Sequence, residues 1–477
     1  MKKIIYKITV LVLITGAFVS CDKELDQIPF DEFANESAYI SAADFENAIR
    51  GVYLNLTSGG LYGGSDGGGM LDAPDVLSDN ATFAQKGRGT RRVLHNWQYG
   101  PSTEPMNGLY QSAYQMIYRA NLLIANAEDF EGENKANVVA EAKALRALGH
   151  LNIATFFSKI PTQSSDANSS LGVAYLTEPD PLAEPSRETV GTTYQMIVQD
   201  LLDARADINT VNDEGRFDTE SVNLLLSRVY LYMGEWQNAI DAANLVSTPV
   251  AARDNIVGVW EDTSKDGVLF NIPFTETPPL NFSIGVTWSQ FGVNSLVPEY
   301  VVSYQLFTLF KDDDIRKEAY TFQGRNGDLN FNAIKKLFAK EGGAPGRVDI
   351  KLFRSAEAKL NIAEAQFNLG NEGAALTALD DVRTKRYLTP PNGEAGTALR
   401  DAIRLERRLE FAFEYQRFFD LKRWGLSIER GSFGDLADGT GTPSDAQSLS
   451  AGSNKFQLPI ATSTRDLNPN IEQNPGY

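Results

Sequence analysis

The sequence predicts a mainly α fold made of helical hairpins, with a loop-rich insertion region that holds a few short strands. Three observations carry this expectation. Apolar residues recur at three- and four-residue spacing over long stretches, which is the helical period. Two glycine-centred turns separate such stretches. Prolines and further glycines cluster in a few places and confine the irregular chain to them.

The first helix is expected over residues 36–56, where Phe45, Ile49, Val52 and Leu56 share one face. A glycine-rich stretch follows from Ser58 to Met70. It lacks the Gly-Lys-Ser/Thr ending of a phosphate loop and reads as a flexible surface loop. Residues 107–128 and 134–158 predict two long helices joined by a polar turn near Gly132. Residues 189–208 and 219–233 predict a second pair, the latter with Val222, Leu225, Leu226, Val229, Tyr230 and Met233 on one stripe. A third helix carries Gly234-Glu235-Trp236, Ala239-Ile240 and Ala243. This Gly-x-aromatic-x-x-Ala-Ile run is the pattern of a tetratricopeptide repeat, whose small residues let two helices approach closely. Gly370 with Ala374, Ala375 and Leu376 repeats it after a helix expected over 350–369. The two glycines lie 136 residues apart, so insertions separate the hairpins. Helical repeats are expected at about 107–158, 189–246 and 350–425, stacked into a right-handed superhelical scaffold.

The largest insertion spans 247–349. Val268-Leu269-Phe270-Asn271-Ile272 predicts a short strand there, and Pro273, Pro278, Pro279 and Pro298 break the rest into loops. A smaller excursion over 159–188 carries Pro161, Pro179, Pro181 and Pro185, and residues 431–454 read as a Gly/Ser/Asp-rich loop.

The N-terminus predicts a lipid-modified secreted chain. Met1-Lys2-Lys3 is charged, Ile8 to Val19 is apolar, and Phe18-Val19-Ser20-Cys21 places the only cysteine after a small residue. Twelve residues of helix span ~18 Å, whereas a bilayer core needs ~30 Å. Residues 1–20 are therefore expected to be a lipoprotein signal peptide, with Cys21 the lipidated residue. Residues 21–35 would form the tether, and 36–477 a single domain. No run of 18 apolar residues follows Cys21, so lipid alone is expected to hold the mature body at a membrane.

Composition excludes several functions. The chain of 477 residues has a formal net charge of −18, and cleavage before Cys21 would make it more acidic. Such a surface repels phosphate backbones, so nucleic acid is not an expected partner. A lipidated Cys21 leaves no thiol for disulfides or zinc. His95 and His150 are the only histidines, and His150 lies in a strong helical pattern where a packed or capping role is expected. Asp312-Asp313-Asp314 lacks the spaced ligands and glycine of a calcium loop. No catalytic residue, metal site or cofactor is expected.

The densest motif is Arg404-Leu405-Glu406-Arg407-Arg408-Leu409-Glu410-Phe411-Ala412-Phe413-Glu414, continued by Arg417-Phe418-Phe419-Asp420-Leu421-Lys422-Arg423-Trp424-Gly425. Arg407 with Glu410, Glu414 with Arg417, and Arg417 with Asp420 are three apart and can pair. The expectation is a structural ion network, not a catalytic cluster.

With this motif the chain resembles the SusD-like (RagB/SusD) family of outer-membrane nutrient-binding lipoproteins. Other matching pieces fall in order: Leu25-Asp26 with Pro29, Tyr118-Arg119-Ala120-Asn121, Ala140 to Leu148, Asp200-Leu201, Asp314-Ile315-Arg316, Ala363-Glu364-Ala365, Leu369-Gly370-Asn371, Leu458-Pro459-Ile460 and Asn468 to Tyr477. The pattern is departed from at Ala461 and at Phe157-Ser158-Lys159-Ile160-Pro161. The resemblance implies a non-catalytic protein on the outer face of the outer membrane. It would capture oligo- or polysaccharide and deliver it to a SusC-like TonB-dependent transporter, with ligand-facing loops at about 58–106 and 247–349.

Sugar faces are apolar C–H surfaces ringed by hydroxyls, so flat rings and Asp, Asn or Arg rims suit them. Of the five tryptophans, Trp236, Trp260 and Trp424 are expected in the core, leaving Trp97 and Trp288 in loop regions. The candidate glycan contacts are Trp97, Tyr99, Asp79, Asn80, Arg92 and Asn96 from the first region, with Trp288 and Phe291 from the second. Alternatives from other classes are capture of peptide or another nutrient by the same scaffold, a surface glycoside hydrolase, and a purely structural transporter subunit.

Overall fold

The structure, a computed structural model, describes residues 39–63, 69–274, 288–290, 293–340, 343 and 346–477. The leader, Cys21, the tether and Phe291 lie outside the described residues. Eleven helices of seven or more residues are named here in chain order among those described. They are α1 (Ala42–Leu54), α2 (Gly69–Leu77), α3 (Asn107–Ala125), α4 (Lys135–Phe157), α5 (Val190–Asp207), α6 (Thr219–Met233), α7 (Trp236–Ala243), α8 (Ser355–Asn368), α9 (Glu372–Arg383), α10 (Gly396–Glu410) and α11 (Arg417–Arg423).

Three of the helices start on a side-chain cap. Ser41 and Asp44 form a reciprocal capping box on α1, Thr189 caps α5, and Asp218 caps α6. The face expected on the first helix is the one buried: Phe45, Ile49, Val52 and Leu56 are enclosed. From α3 onward, successive helices pack as neighbours: α3 on α4, α4 on α5, α5 on α6, α6 on α7, then α7 on α8 and α8 on α9. The step from α7 to α8 passes over the whole insertion, so the expected hairpins form one continuous stack. Gly234 and Gly370 close two of the hairpins with φ of 75° and 81°, a backbone that L side chains adopt only under strain.

Among the described residues, five small two-stranded antiparallel sheets decorate the stack. Their strands are β1 (Ala81–Phe83), β2 (Val268–Ile272), β3 (Ser289–Gln290), β4 (Val297–Pro298), β5 (Tyr300–Val302), β6 (Thr321–Asn326), β7 (Leu329–Ile334), β8 (Ile350–Arg354), β9 (Ile428–Glu429) and β10 (Ser448–Leu449). The expected strand at Val268 is β2. Its partner corrects the helix expected over 350–369: residues 350–354 are β8, paired from Ile272↔Ile350 to Val268↔Arg354, and the helix begins at Ser355. The stretch Ile350-Lys351-Leu352-Phe353 is enclosed on both sides, and β2 supplies the hydrogen bonds that decide its conformation.

The glycine-rich stretch also departs from a surface loop. Leu61 and Tyr62 are buried, and the Gly69 N–H donates to the Gly60 carbonyl at 3.0 Å. A Cβ on Gly60 would lie 2.0 Å from the Gly108 carbonyl oxygen, so this glycine permits a close backbone approach to α3.

The charged C-terminal motif forms a buried ion network, with partners further apart than helical spacing suggests. Glu410 takes Arg354 at 2.8 Å, Arg386 at 2.8 Å and Arg316 at 3.4 Å. Glu414 takes Arg354 at 2.7 Å and Lys336 at 2.5 Å. Arg407 pairs with Asp420 at 3.2 Å, and Arg423 with Glu364 at 2.5 Å and Asp420 at 2.9 Å. The expected three-apart pairs give way to these longer-range partners, and beyond the end of α10 at Glu410 the chain turns, with Phe413 and Tyr415 at φ of 62° and 66°. That turn aims the charges across the molecule. His150 takes the expected packed role. Its Nδ1 bonds the Arg146 carbonyl, its Nε2 accepts from the Leu176 N–H, and its ring stacks 3.7 Å from Tyr175. Burial pushes its pKa down to about 3 and keeps it neutral.

Candidate functional site

The segment after α2 holds most of the residues expected to contact ligand, and the structure turns most of them inward. Asp79 is gripped by Arg417 through two bonds of 2.7 and 2.8 Å, with Arg408 at 3.3 Å. Burial alone would raise its carboxyl pKa, but the two guanidiniums overcome that and hold it well below the usual range. Asn80 donates to Asp75 Oδ1 at 2.9 Å, and its own Oδ1 accepts from Arg408 Nε at 3.0 Å. Both side chains clamp α10 and α11 onto α2.

Trp97 has a left-handed backbone (φ 54°) that folds its indole back on α2, where Nε1 donates to the Leu77 carbonyl at 3.0 Å. The Arg430 guanidinium lies 4.0 Å over the ring, and only 6% of Trp97 is exposed. The buried Tyr99 donates its hydroxyl to the Lys455 carbonyl. Trp288 is 0% exposed, with Tyr300 and Phe413 set edgewise against it at 6.3 and 5.7 Å. Direct stacking by Trp97 and Trp288, and rim contacts by Tyr99, Asp79 and Asn80, are therefore not offered in this conformation. The reason is the same for each: buried arginines, carbonyls and rings already occupy their faces.

What remains open is a polar cluster and an aromatic pair. Arg92 is exposed and bonds Asp445 at 2.7 Å; Asn96, expected as a rim contact, is only 8% exposed and spends its amide on the same carboxylate oxygen at 3.3 Å. The Arg92 guanidinium also lies 5.4 Å over Phe83. Asp445 belongs to the Gly/Ser/Asp-rich loop, which Asp435 ties down by accepting from the N–H groups of Gln85 and Thr442. The same loop presents Phe433, 47% exposed and tilted against Tyr304 at 5.0 Å. Gly439, at φ 81°, lets the loop pass directly over the Tyr304 ring. Tyr304, Phe307, Lys311, Asp312 and Lys317 line an adjoining open cavity of about 550 Å³.

Sequence reasoning missed Tyr304, Phe433 and Asp445. The composition of the 431–454 loop was the available signal, since small polar residues around a lone exposed phenylalanine do not bury it. Of the three tryptophans expected in the core, Trp260 is buried, whereas Trp236 and Trp424 are only partly buried.

The open surface offers ring faces, a carboxylate and a guanidinium, which together suit a polyhydroxylated ligand. Ser444 and His95 are the one pair that suggests nucleophilic chemistry. Ser444 Oγ lies 3.0 Å from His95 Nε2, but His95 Nδ1 is bound to the Val76 carbonyl at 2.8 Å, where a triad would place a carboxylate. Both residues are buried, so the pair fastens the loop to α2. Among the described residues no group of three His, Cys, Asp or Glu side chains could hold a metal ion, and no helix is long and apolar enough to cross a membrane.

Comparison with known proteins agrees with this architecture. Residues 31–231 match a family described as starch-binding and associating with the outer membrane, and residues 324–477 match the SusD family. A SusD-like protein of Formosa agariphila is 26% identical over 481 residues, covering 90% of this chain and 92% of its own. A SusD superfamily protein from Bacteroides thetaiotaomicron shares the fold with a TM-score of 0.82 at 26% identity, over 91% of this chain and 100% of its own. Surface glycan-binding protein A from Bacteroides uniformis superposes with a TM-score of 0.74 at 17% identity, over 91% of this chain and 99% of its own. Two family matches at opposite ends, full-length relatives and a shared fold lead to one conclusion: the chain belongs to the SusD-like (RagB/SusD) family.

Proposed function

We propose that this protein is a non-catalytic, lipid-anchored outer-membrane protein that captures oligo- or polysaccharide at the cell exterior. It then passes the glycan to a SusC-like TonB-dependent transporter. The observation that carries this reading is the likeness to SusD-like proteins along nearly the whole chain, among whose structural neighbours is a surface glycan-binding protein. The anchor would be Cys21, outside the described residues. Ligand contact would fall to Arg92 and Asp445 and to the Tyr304–Phe433 pair, with Asn96 holding Asp445 from beneath. Trp97, Tyr99, Asp79, Asn80 and Trp288 would hold that surface in place from beneath.

A stacked ring contributes about 1–1.5 kcal/mol beyond the area it buries, or roughly a tenfold change in affinity. Calorimetric titration of the full-length chain in detergent against a panel of polysaccharides tests the reading. Binding of at least one glycan is expected, weakened about tenfold by Phe433→Ala with an unchanged melting temperature. Silence across the panel, with a peptide library binding instead, would transfer the cargo to peptides. Co-purification of a TonB-dependent transporter with the tagged chain tests delivery.

A further inference from the structure

The two partly buried tryptophans share one cavity, whose lining includes none of the residues of the loop surface. It holds about 350 Å³ between α7, α8, α10 and the end of α11, and is lined by Trp236, Trp424, Phe367, Ile403, Arg404 and Thr162 among others. Trp236 is the first residue of α7; its ring is partly buried on the small cluster of Leu231, Ala239, Ile240 and Ala365 and also lines the cavity. Trp424 is fixed in place: Nε1 donates to Glu364 Oε1 at 2.7 Å, and the Arg423 guanidinium lies 4.8 Å from the ring centre.

Arg404 differs from the other buried arginines of this motif. Its guanidinium lies 5.0 Å over Trp424, yet among the described residues it has no carboxylate and no hydrogen-bond partner. Glu364, the nearest acid lining the cavity, is committed to Arg423 and to the Trp424 indole. Arg400, one helical turn before Arg404 and also in the lining, pairs only with its exposed neighbour Asp401. Partial burial first, and then the charge of Arg400, lower the pKa of Arg404, and the smaller opposing effects of Glu364 and Asp401 do not restore it. A local excess of positive charge stands out in a chain of formal net charge −18. Thr162 adds an enclosed Oγ1 with no hydrogen-bond partner. A buried hydroxyl and a half-buried guanidinium both left unpaired are costly unless a ligand satisfies them.

We propose that this cavity is a second sugar site that takes a uronic-acid unit of an acidic polysaccharide, with its carboxylate on Arg404 and its ring against Trp236. The inference rests on the carbohydrate-binding reading above. A carboxylate matches the fork of a guanidinium, and the C–H face of a pyranose matches an indole. An acidic peptide side chain would satisfy Arg404 but leave the Trp236 ring and the Thr162 hydroxyl unused, so the sugar fits better.

The test is calorimetric titration of the full-length chain in detergent with oligogalacturonate and with its carboxyl-reduced, neutral counterpart. The acidic oligomer is expected to bind at least tenfold more tightly. Arg404→Gln should abolish that difference at an unchanged melting temperature, Arg404→Lys should keep part of it, and Trp236→Ala should weaken binding further. Equal affinity for the two oligomers overturns the proposal. So does oligogalacturonate binding that Arg404→Gln leaves intact, or Arg404-dependent binding of a polyglutamate peptide without binding of the sugar. Neutral glycan that still binds through Phe433 would leave the main reading standing while this site falls. An unaltered chain that binds no glycan of either kind would remove both.

Discussion

Asp75 concentrates the electrostatic cost of building the loop surface. Its Oδ1 accepts from Asn80 and from the Phe413 N–H at 3.1 Å, while Oδ2 is enclosed without a partner. Burial pushes its carboxyl up to about 6 from 3.8, against the smaller opposing effect of those bonds. The folded form thus holds a proton that the unfolded chain has released between those values. The stabilising contribution of the protonated group is complete below 3.8 and is lost as pH rises through about 6. At neutral pH the penalty is on the order of 2–3 kcal/mol. Asp75→Asn keeps the Oδ1 acceptor and removes the charge. It is therefore expected to raise the melting temperature at pH 7.5 and to change it little at pH 4. A gain of equal size at both values would refute the ionised-carboxylate account. Residue-scale burial also explains what could be read of the site. Charged and aromatic residues at 79–99 look ligand-facing because their types are right, but Arg408, Arg417 and Arg430 reach them from more than 300 positions away and cover them. A single sequence shows the residue types and not the covering partners. Arg92 stays at the surface because its pairing partner, Asp445, is itself there.

Elements were legible where one helix carried its own signal. The stripe on α6 and the Gly-x-aromatic turn before α7 are local patterns, and the structure follows them. Two elements were hidden for physical reasons. The strand β8 depends on β2, some 80 residues earlier, and α2 is buried on every side, so it has no polar face to produce a period. The turn glycines allow a controlled measurement. Gly370 has φ 81° and nothing within 4 Å of an added Cβ, so Gly370→Ala meets only the left-handed backbone penalty. That penalty is about 1–2 kcal/mol. Gly373, three residues on in α9, has equal space and no left-handed φ. Gly373→Ala should stabilise by about 0.5 kcal/mol through the unfolded chain. Denaturant melts of the two variants are expected to shift in opposite directions, and shifts in the same direction would count against the turn assignment.

At the scale of the molecule, the segments matched by the two family models, residues 31–231 and 324–477, are bolted to each other. Arg430 donates to the carbonyls of Val76, Leu77, Ser78 and His95 at 2.7–3.2 Å. Asp79 is shared by Arg408 and Arg417, and Lys422 Nζ donates to the carbonyls of Thr155 and Ser158 at 2.7 Å. The C-terminal stretch returns to α4, where Asn474 Nδ2 donates to the Phe157 carbonyl at 2.7 Å. These bonds are buried, so neither half could separate without leaving charges and carbonyls unpaired in an apolar interior. One cooperative unit is expected despite the length of the chain. In scanning calorimetry the protein should give a single peak whose calorimetric and van't Hoff enthalpies agree. Arg430→Ala strips several carbonyls of their donor and uncovers the Trp97 ring, at a cost of about 3 kcal/mol or more. It should move that one peak downward without splitting it. Two resolved peaks in the unaltered protein, or a variant that melts in two steps, would mean that the halves fold separately and that the arginines only decorate their boundary.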